Sequence, residues 1–512
     1  MGSILAGPRA CGSHPSLRRT GYEVLAAPPL GAESLRLSPL APSHGVGCEL
    51  PMPAPLPVLS PSARGFQVLP LAHRPAPRQP IVPVLGRPPR VHLWHIGCQM
   101  NDADHELLAE RFAELGFIPD AALEDADLAV LITCAVRQNA EQKVYGKFRD
   151  LTDWKRARPG RAIAMTGCMA VEHGPALLRK LPDLDYLFDV RDCDGFFARL
   201  QSVHATDLDG PVPMPASDRL LAFVSVMGGC NEMCTYCIVP FVRGRETSRP
   251  VGEIVEDVHR LVERGVREVT LLGQNVNSYS DPGTGAGLPE LLAAVDRVPG
   301  LWRLRFLTSH PRNAVPELFE AMRDLPTVCE QLHLPVQAGD DELLRRMRRL
   351  YTVDEYLAKI DAARGTVPDL ALTTDIIVGF SGENEAEFLG TERLLRTVGF
   401  DVVHLQAYSV RPGTAAARRP DDVPMGEKKR RLNHLLDLQR QIALERNLAL
   451  VGRRVEILVE GTTEDGRPFG RTRQGKIALL PAGSAAAGEL HEARVRAASA
   501  WQLSADVEAA AA

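Results

Sequence analysis

Three short apolar runs each stop at a cysteine, and this repetition limits the possible folds more than any other feature of the chain. Val91–Ile96 ends at Gly97-Cys98, Leu128–Ile132 at Thr133-Cys134, and Ala162–Met165 at Thr166-Gly167-Cys168. Helical patterns follow the first two, over Asp104 to Leu115 and over a stretch rich in Gln, Glu and Lys. Strands that alternate with helices imply a parallel sheet, and in such sheets ligands bind at the carboxyl ends of the strands. Cys98, Cys134 and Cys168 therefore share one topological position despite gaps of about 35 residues. Two readings stay open on spacing alone: three small buried hydrophobes, as free cysteines often are, or three thiolates around one crevice. Cys193, after a fourth short strand from Tyr186 to Val190, reads as structural.

A second cysteine group is tighter. The apolar run Leu220 to Met227 reads as a strand feeding into Gly228-Gly-Cys-Asn-Glu-Met-Cys-Thr-Tyr-Cys237, a C-x-x-x-C-x-x-C triplet of Cys230, Cys234 and Cys237. Three thiolates at this spacing suit a [4Fe–4S] cluster with one iron free of protein ligands. There the amino and carboxylate groups of S-adenosylmethionine can chelate and receive an electron. Zinc is the competing reading, but it normally takes four ligands, and no fourth Cys or His follows nearby. Tyr236 places an aromatic face beside the cofactor.

Strand–helix alternation continues from 216 to 447, with strands expected at Leu221–Val226, Glu268–Leu272, Arg303–Thr308, Gln331–Pro335, Leu370–Gly379 and Val402–Tyr408. The fold class is thus α/β: an N-terminal parallel-sheet unit over 90–210, then a partial (β/α)6 barrel whose chemistry sits at the C-terminal ends of its strands. The charge run on Met425 to Arg446 reads as a solvated helix face. His333 reads as a hydrogen-bonded core histidine and Cys329 as packing. Residues 448–509 alternate as short strands, a small all-β barrel of the kind that often binds single-stranded RNA. Arg467, Arg471, Arg473 and Lys476 supply positive charge there. Aromatic side chains for stacking are scarce, so phosphate contacts are expected to dominate.

Residues 1–89 hold 18 of the 40 prolines, eight arginines, no lysine and three acidic residues, and read as a disordered extension. Targeting composition and an upstream start codon are competing accounts of it. Cys11 and Cys48 lie within it as bystanders. No apolar run is long enough to span a membrane, and ten cysteines in 512 residues fall far below disulfide-scaffold density. A cytoplasmic chain is expected. The net charge of −5 gives no bulk attraction to nucleic acid, so an RNA partner would need a local basic surface.

The flanks of the triplet narrow the reading. Ile238-Val-Pro-Phe-Val-Arg-Gly-Arg-Glu-Thr-Ser-Arg-Pro250, Arg267-Glu-Val-Thr-Leu-Leu-Gly-Gln-Asn-Val-Asn-Ser-Tyr279, Gly97-Cys-Gln-Met-Asn101, Thr133-Cys-Ala-Val-Arg137 and Gly167-Cys-Met-Ala170 resemble the radical S-adenosylmethionine methylthiotransferases. The likeness is to the tRNA-2-methylthio-N6-dimethylallyladenosine synthase branch and covers 90 to about 505. It implies two [4Fe–4S] clusters, one on Cys230, Cys234 and Cys237 that binds S-adenosylmethionine, the other on Cys98, Cys134 and Cys168. It makes Gln274, Asn275, Ser309, His310, Gln337 and Glu383 candidate cofactor contacts and the C-terminal barrel a TRAM-like RNA-binding domain. Ser381-Gly-Glu-Asn384 departs from the Pro-Gly-Glu-Thr frequent in the family but keeps Glu383. The implied partners are a tRNA carrying N6-isopentenyladenosine, a flavodoxin-type reductase and a sulfur donor, with the chain acting as a monomer. Sister branches that act on threonylcarbamoyl-adenosine in tRNA or on a ribosomal-protein aspartate are alternatives. A non-catalytic iron–sulfur RNA-binding protein is another, but it would not need two complete cysteine sets.

Overall fold

The computed structural model describes residues 87–135, 138–203 and 219–508. The extension expected over 1–89 lies outside them apart from its last three residues. Arg87 already belongs to the fold, since its guanidinium grips the buried Asp127 carboxylate at 2.9 and 3.0 Å.

Four parallel strands, β1 (Val91–His95), β2 (Leu128–Thr133), β3 (Ala162–Gly167) and β4 (Tyr186–Leu187), form a sheet in sequence order. Both faces of the central strands β2 and β3 are covered, which is why these two read as nearly unbroken apolar runs. Val130, Ile132 and Ala164 face one core, with Phe112 and Phe196, while Leu131, Ile163 and Met165 face the other, with Phe148 and Leu177. Cys193 is buried in the first of these cores. The first helix runs from Gln99 to Glu114 and so starts five residues earlier than expected. Cys98 is its extended N-cap, and the Asn101 side chain turns back to accept from the Cys98 N–H at 3.5 Å and donates to the Thr133 carbonyl at 3.1 Å. Its first turn is polar, so hydrophobic periodicity could not register it.

The barrel strands are β5 (Leu221–Ser225), β8 (Glu268–Leu272), β9 (Arg303–Leu307), β10 (Gln331–His333), β11 (Ala371–Val378) and β12 (Val402–Ala407), all within two residues of expectation. A small hairpin of β6 (Met227–Gly228) and β7 (Thr247–Ser248) brackets the cysteine triplet. Two parallel sheets, β5-β8-β9 and β10-β11-β12, meet where the Leu304 backbone bonds Thr327 and Cys329 at 2.7 and 2.9 Å. Leu332, Leu372, Ile376, Val403 and Leu405 pack outward into the main core with Leu435, Leu438 and Ile442 of the helix Met425–Leu448. The opposite strand faces line the lumen.

The charge run on that helix is not a uniformly solvated face. Lys429, Arg430 and Arg440 are exposed, but Lys428 and Arg431 are buried. Lys428 donates to the Tyr408 carbonyl at 3.1 Å and pairs with Asp421, and Arg431 donates to Glu383 at 2.8 Å. A charge pattern cannot distinguish a solvated cation from one that caps strand ends.

Five C-terminal strands, β13 (Arg454–Thr462), β14 (Pro468–Thr472), β15 (Ile477–Leu479), β16 (Leu490–Ala498) and β17 (Gln502–Val507), close into a barrel in the order β13-β14-β15-β17-β16. It seats against the amino ends of the large barrel's strands. Arg303, fully buried, donates to Glu456 at 2.9 Å and to the Arg471 carbonyl at 2.7 Å. Arg305 donates to Glu268 at 2.8 Å and to the carbonyls of Thr472 and Arg473 at 2.9 and 2.7 Å. Arg303→Ala, which strands the Glu456 carboxylate and the Arg471 carbonyl, is expected to cost about 3 kcal/mol. The denaturant midpoint of the full chain reads this directly. The Arg303→Met/Glu456→Leu double variant should recover part of the loss, and equal stability of Arg303→Ala and wild type would refute the role.

Candidate cluster and cofactor site

Cys98, Cys134 and Cys168 follow β1, β2 and β3 and meet at the carboxyl edge of the N-terminal sheet. Gly97 permits the approach, because at its φ of +143° an added Cβ would stand 2.5 Å from Cys134 Cβ. The Cys98 thiol is lowered to about 6, first by its hydrogen bond with Cys134 and then by the charge of Arg243. Burial raises the Cys168 thiol, against the pull of Arg243.

The triplet lies in the loop between β6 and β7. Burial pushes Cys230 and Cys237 up to about 12, with the neighbouring triplet cysteines adding to it. Arg349, itself buried, donates to Cys234 Sγ at 3.2 Å, to Tyr351 at 2.9 Å and to the Pro335 carbonyl at 2.8 Å. Tyr236 is half-buried, its ring edge-on to Phe380 at 6.5 Å.

One side chain joins the two groups. Arg243, 7% exposed, donates from Nε to Cys168 Sγ at 3.3 Å and from Nη2 to Asp104 at 2.8 Å. It lies six residues beyond Cys237, and Ile238 and Val242 between them pack into the core beneath Cys168. The triplet loop is thus anchored in the N-terminal unit. Sequence reasoning quoted Arg243 and Glu246 only as parts of a motif and missed Arg349. Glu246 bonds the Asn231 backbone at 3.2 Å and the Asn275 amide at 3.2 Å, tying the triplet loop to the end of β8.

The other expected contacts line the mouth. Gln274 Oε1 and Nε2, Asn275 Oδ1, Ser309 Oγ, His310 Nε2 and Glu383 Oε1 are buried and find no partner within the protein. Buried polar atoms are nearly always paired, so such a concentration at the ends of β8, β9 and β11 marks the seat of a polar molecule. Burial, then the charges of Arg349 and Arg312, drive His310 down to about 2, so it is neutral. Its Nδ1 accepts from the Arg312 N–H at 3.3 Å, which leaves a proton on Nε2 as a free donor. Gln337 is buried with a φ of +77°, and Thr308 has a φ of +71°. Asn384, where the family often has Thr, still caps its helix by accepting from the Glu387 N–H at 3.1 Å.

Of the four cations expected to face RNA, three serve the fold. Arg471 pairs with Glu460 at 2.6 Å, Arg473 with Glu330 at 2.8 Å, and Lys476 with Asp401 at 2.6 Å. They point toward the seam with the large barrel, which sequence cannot foresee. Arg467 is exposed and pairs with the exposed Asp465.

Residues 224–395 match the radical SAM superfamily, and residues 90–189 match the uncharacterized protein family UPF0004. The chain is 42% identical over 435 residues to a tRNA-2-methylthio-N(6)-dimethylallyladenosine synthase of Acetivibrio thermocellus, covering 80% of this chain and 88% of that one. A synthase of the same name from Moorella thermoacetica is 42% identical over 80% of this chain and 96% of its own. Another, from Dehalococcoides mccartyi, is 41% identical over 81% and 98%. The chain belongs to this synthase family. Its cofactors are accordingly [4Fe–4S] clusters and S-adenosylmethionine, and the residues present fit them. Each trio gathers three thiols at one strand-end crevice, with a buried guanidinium donating to one sulfur of each, a donor set that suits a thiolate-held cluster. The unpartnered mouth atoms suit the amino-acid and ribose groups of S-adenosylmethionine.

Gly97→Val should displace Cys134. Iron and sulfide after anaerobic reconstitution are expected to fall from two clusters per chain to one, with S-adenosylmethionine binding retained. Two full clusters in this variant would refute the packing argument.

Proposed function

We propose that the chain replaces the hydrogen on carbon 2 of N6-isopentenyladenosine, next to the anticodon of tRNA, with a methylthio group. The observation that supports this reading is the joining of two three-cysteine sites through Arg243, in a chain of this family. When bound, the two [4Fe–4S] clusters and S-adenosylmethionine supply hydrogen abstraction at an unactivated C–H bond and the sulfur and methyl group that replace the hydrogen.

The chain's own residues do the rest. We assign Cys230, Cys234 and Cys237 to the cluster that takes S-adenosylmethionine, and Cys98, Cys134 and Cys168 to the second. Three thiolates at each site would hold a four-iron cluster with one iron free of protein ligands. Arg349 and Arg243 offset thiolate charge by donating to one sulfur of each trio. Gln274, Asn275, Ser309, His310, Gln337 and Glu383 orient the cofactor, and Tyr236 covers it. His310, being neutral, donates from Nε2 without adding charge. Unstacked loop bases are the accessible targets in folded RNA, which suits an anticodon-loop substrate.

The division into 90–210, 216–447 and 448–509 assigns these tasks to an auxiliary-cluster unit, a radical core and a TRAM-like RNA-binding barrel. Among the last unit's expected cations, only Arg467 is placed to meet phosphate. No helix among the described residues is long and apolar enough to cross a membrane. We place the enzyme in the cytoplasm, acting as a monomer with a flavodoxin-type electron donor and a separate sulfur donor.

Nucleoside mass spectrometry of tRNA from cells lacking their own isopentenyladenosine methylthiotransferase tests the reading. Expression of this chain under low oxygen should produce the 2-methylthio nucleoside, and Cys230→Ala or Cys134→Ala should abolish it. Unmodified isopentenyladenosine despite two loaded clusters would overturn the substrate and direct the search to threonylcarbamoyl-adenosine and ribosomal protein.

A further inference from the structure

The lumen face of β10, β11 and β12 carries a second kind of metal-ligating set, distinct from the cysteines. Leu332, Leu372, Ile376, Val403 and Leu405 face the outer core, so His333, Asp375 and His404, which alternate with them, face inward. Register aligns them: His333 pairs with Thr373, two residues before Asp375 on the same strand face, and Asp375 pairs with His404 on the next strand. One ligand atom from each residue lies within 4.8 Å of the others.

We infer that His333, Asp375 and His404 form a binding site for one divalent transition-metal ion of the zinc class, inside the barrel and separate from both cysteine trios. His333 Nε2 stands 3.6 Å from Asp375 Oδ2, longer than a hydrogen bond. Two ligands each about 2.1 Å from a tetrahedral ion stand roughly 3.4 Å apart, close to that spacing. The other ring nitrogen of His333 is held by Thr373 Oγ1 at 2.8 Å. Ligating histidines are commonly oriented in this way through the nitrogen that does not bind the ion. The His404 ring, 5.8 Å from that of His333, completes an imidazole, imidazole and carboxylate set, which suits zinc rather than an iron–sulfur cluster. Three protein ligands leave a fourth position, opening on the lumen, for water or a nitrogen or oxygen donor of the molecule held there.

The other group of this type, Glu141, Glu172 and His173, is a weaker candidate, because Arg411 already neutralises Glu141 at 2.8 Å. It serves as the internal control.

The test uses the full chain with both clusters loaded, dialysed anaerobically against a weak chelator and then against Zn²⁺ alone, with zinc and iron counted by mass spectrometry. One zinc per chain is expected, with iron unchanged and with nitrogen and oxygen neighbours at about 2.0–2.2 Å in zinc X-ray absorption. His404→Ala, at an exposed position, and Asp375→Asn should each weaken zinc binding at least tenfold while leaving the iron count and the melting temperature of the zinc-free chain unchanged. Thr373→Val should weaken it about tenfold or more through loss of the second bond to His333. No bound zinc, a sulfur neighbour near 2.3 Å, zinc retained in His404→Ala, or zinc lost in Glu172→Gln would each overturn the assignment.

Discussion

The guanidinium of Arg243 cannot be buried alone. A desolvated cation needs compensating groups, and the two it finds, Asp104 and Cys168, belong to the N-terminal unit, while its own backbone continues from the triplet. Burial raises the Asp104 carboxyl while Arg243 draws it back, so each member of the pair makes the other tolerable. The result is a short tether. Six residues cannot span more than roughly 20 Å, and the helical turn Val239–Val242 shortens that further. The cysteine groups are therefore tied to one another through a short segment rather than a long loop.

The two ends of the large barrel divide stability from chemistry. At the amino ends, Arg303, Arg305, Arg473 and Lys476 are satisfied by carboxylates and carbonyls of both barrels. At the carboxyl ends, buried atoms of Gln274, Asn275, Ser309, His310 and Glu383 have no partner. That contrast is what the strand-end rule for such barrels anticipates. It also explains why basic residues near the C-terminus are a poor guide to RNA contact. A lysine or arginine on a strand facing a seam is neutralised by the fold before any phosphate can reach it.

Strand positions were legible because parallel strands covered on both faces, such as Leu128–Thr133, are unbroken apolar runs. The convergence of Cys98, Cys134 and Cys168 was legible because each cysteine follows a strand end, and topology brings strand ends together. What pairs with them was not. Arg349 reaches Cys234 from 115 residues away, and nothing local distinguishes it from the exposed Arg345. Lys428 and Arg431 were misread for the same reason: the signal that they are buried lies in Asp421 and Glu383, at positions no helical periodicity connects. His333 was read as hydrogen-bonded, which holds for Nδ1. The approach of Asp375 and His404 to its other nitrogen depends on register across three strands.

Backbone strain links the mouth to the lumen. Thr308 and Gln337 hold positive φ angles at the ends of β9 and β10, a conformation that costs such residues roughly 1–3 kcal/mol and persists only where the surroundings enforce it. At Gln337 the enforcement is visible. Its N–H donates to the Asp375 carbonyl at 2.9 Å, and its carbonyl accepts from the Ile377 N–H at 3.0 Å. These two bonds extend the β10–β11 pairing past the end of β10, clasp the backbone on both sides of Ile376 and hold the carbonyl of Asp375. A side chain at the cofactor edge and one facing the lumen are thereby set by the same pair of hydrogen bonds. Relaxing the strain at Gln337 would therefore shift both.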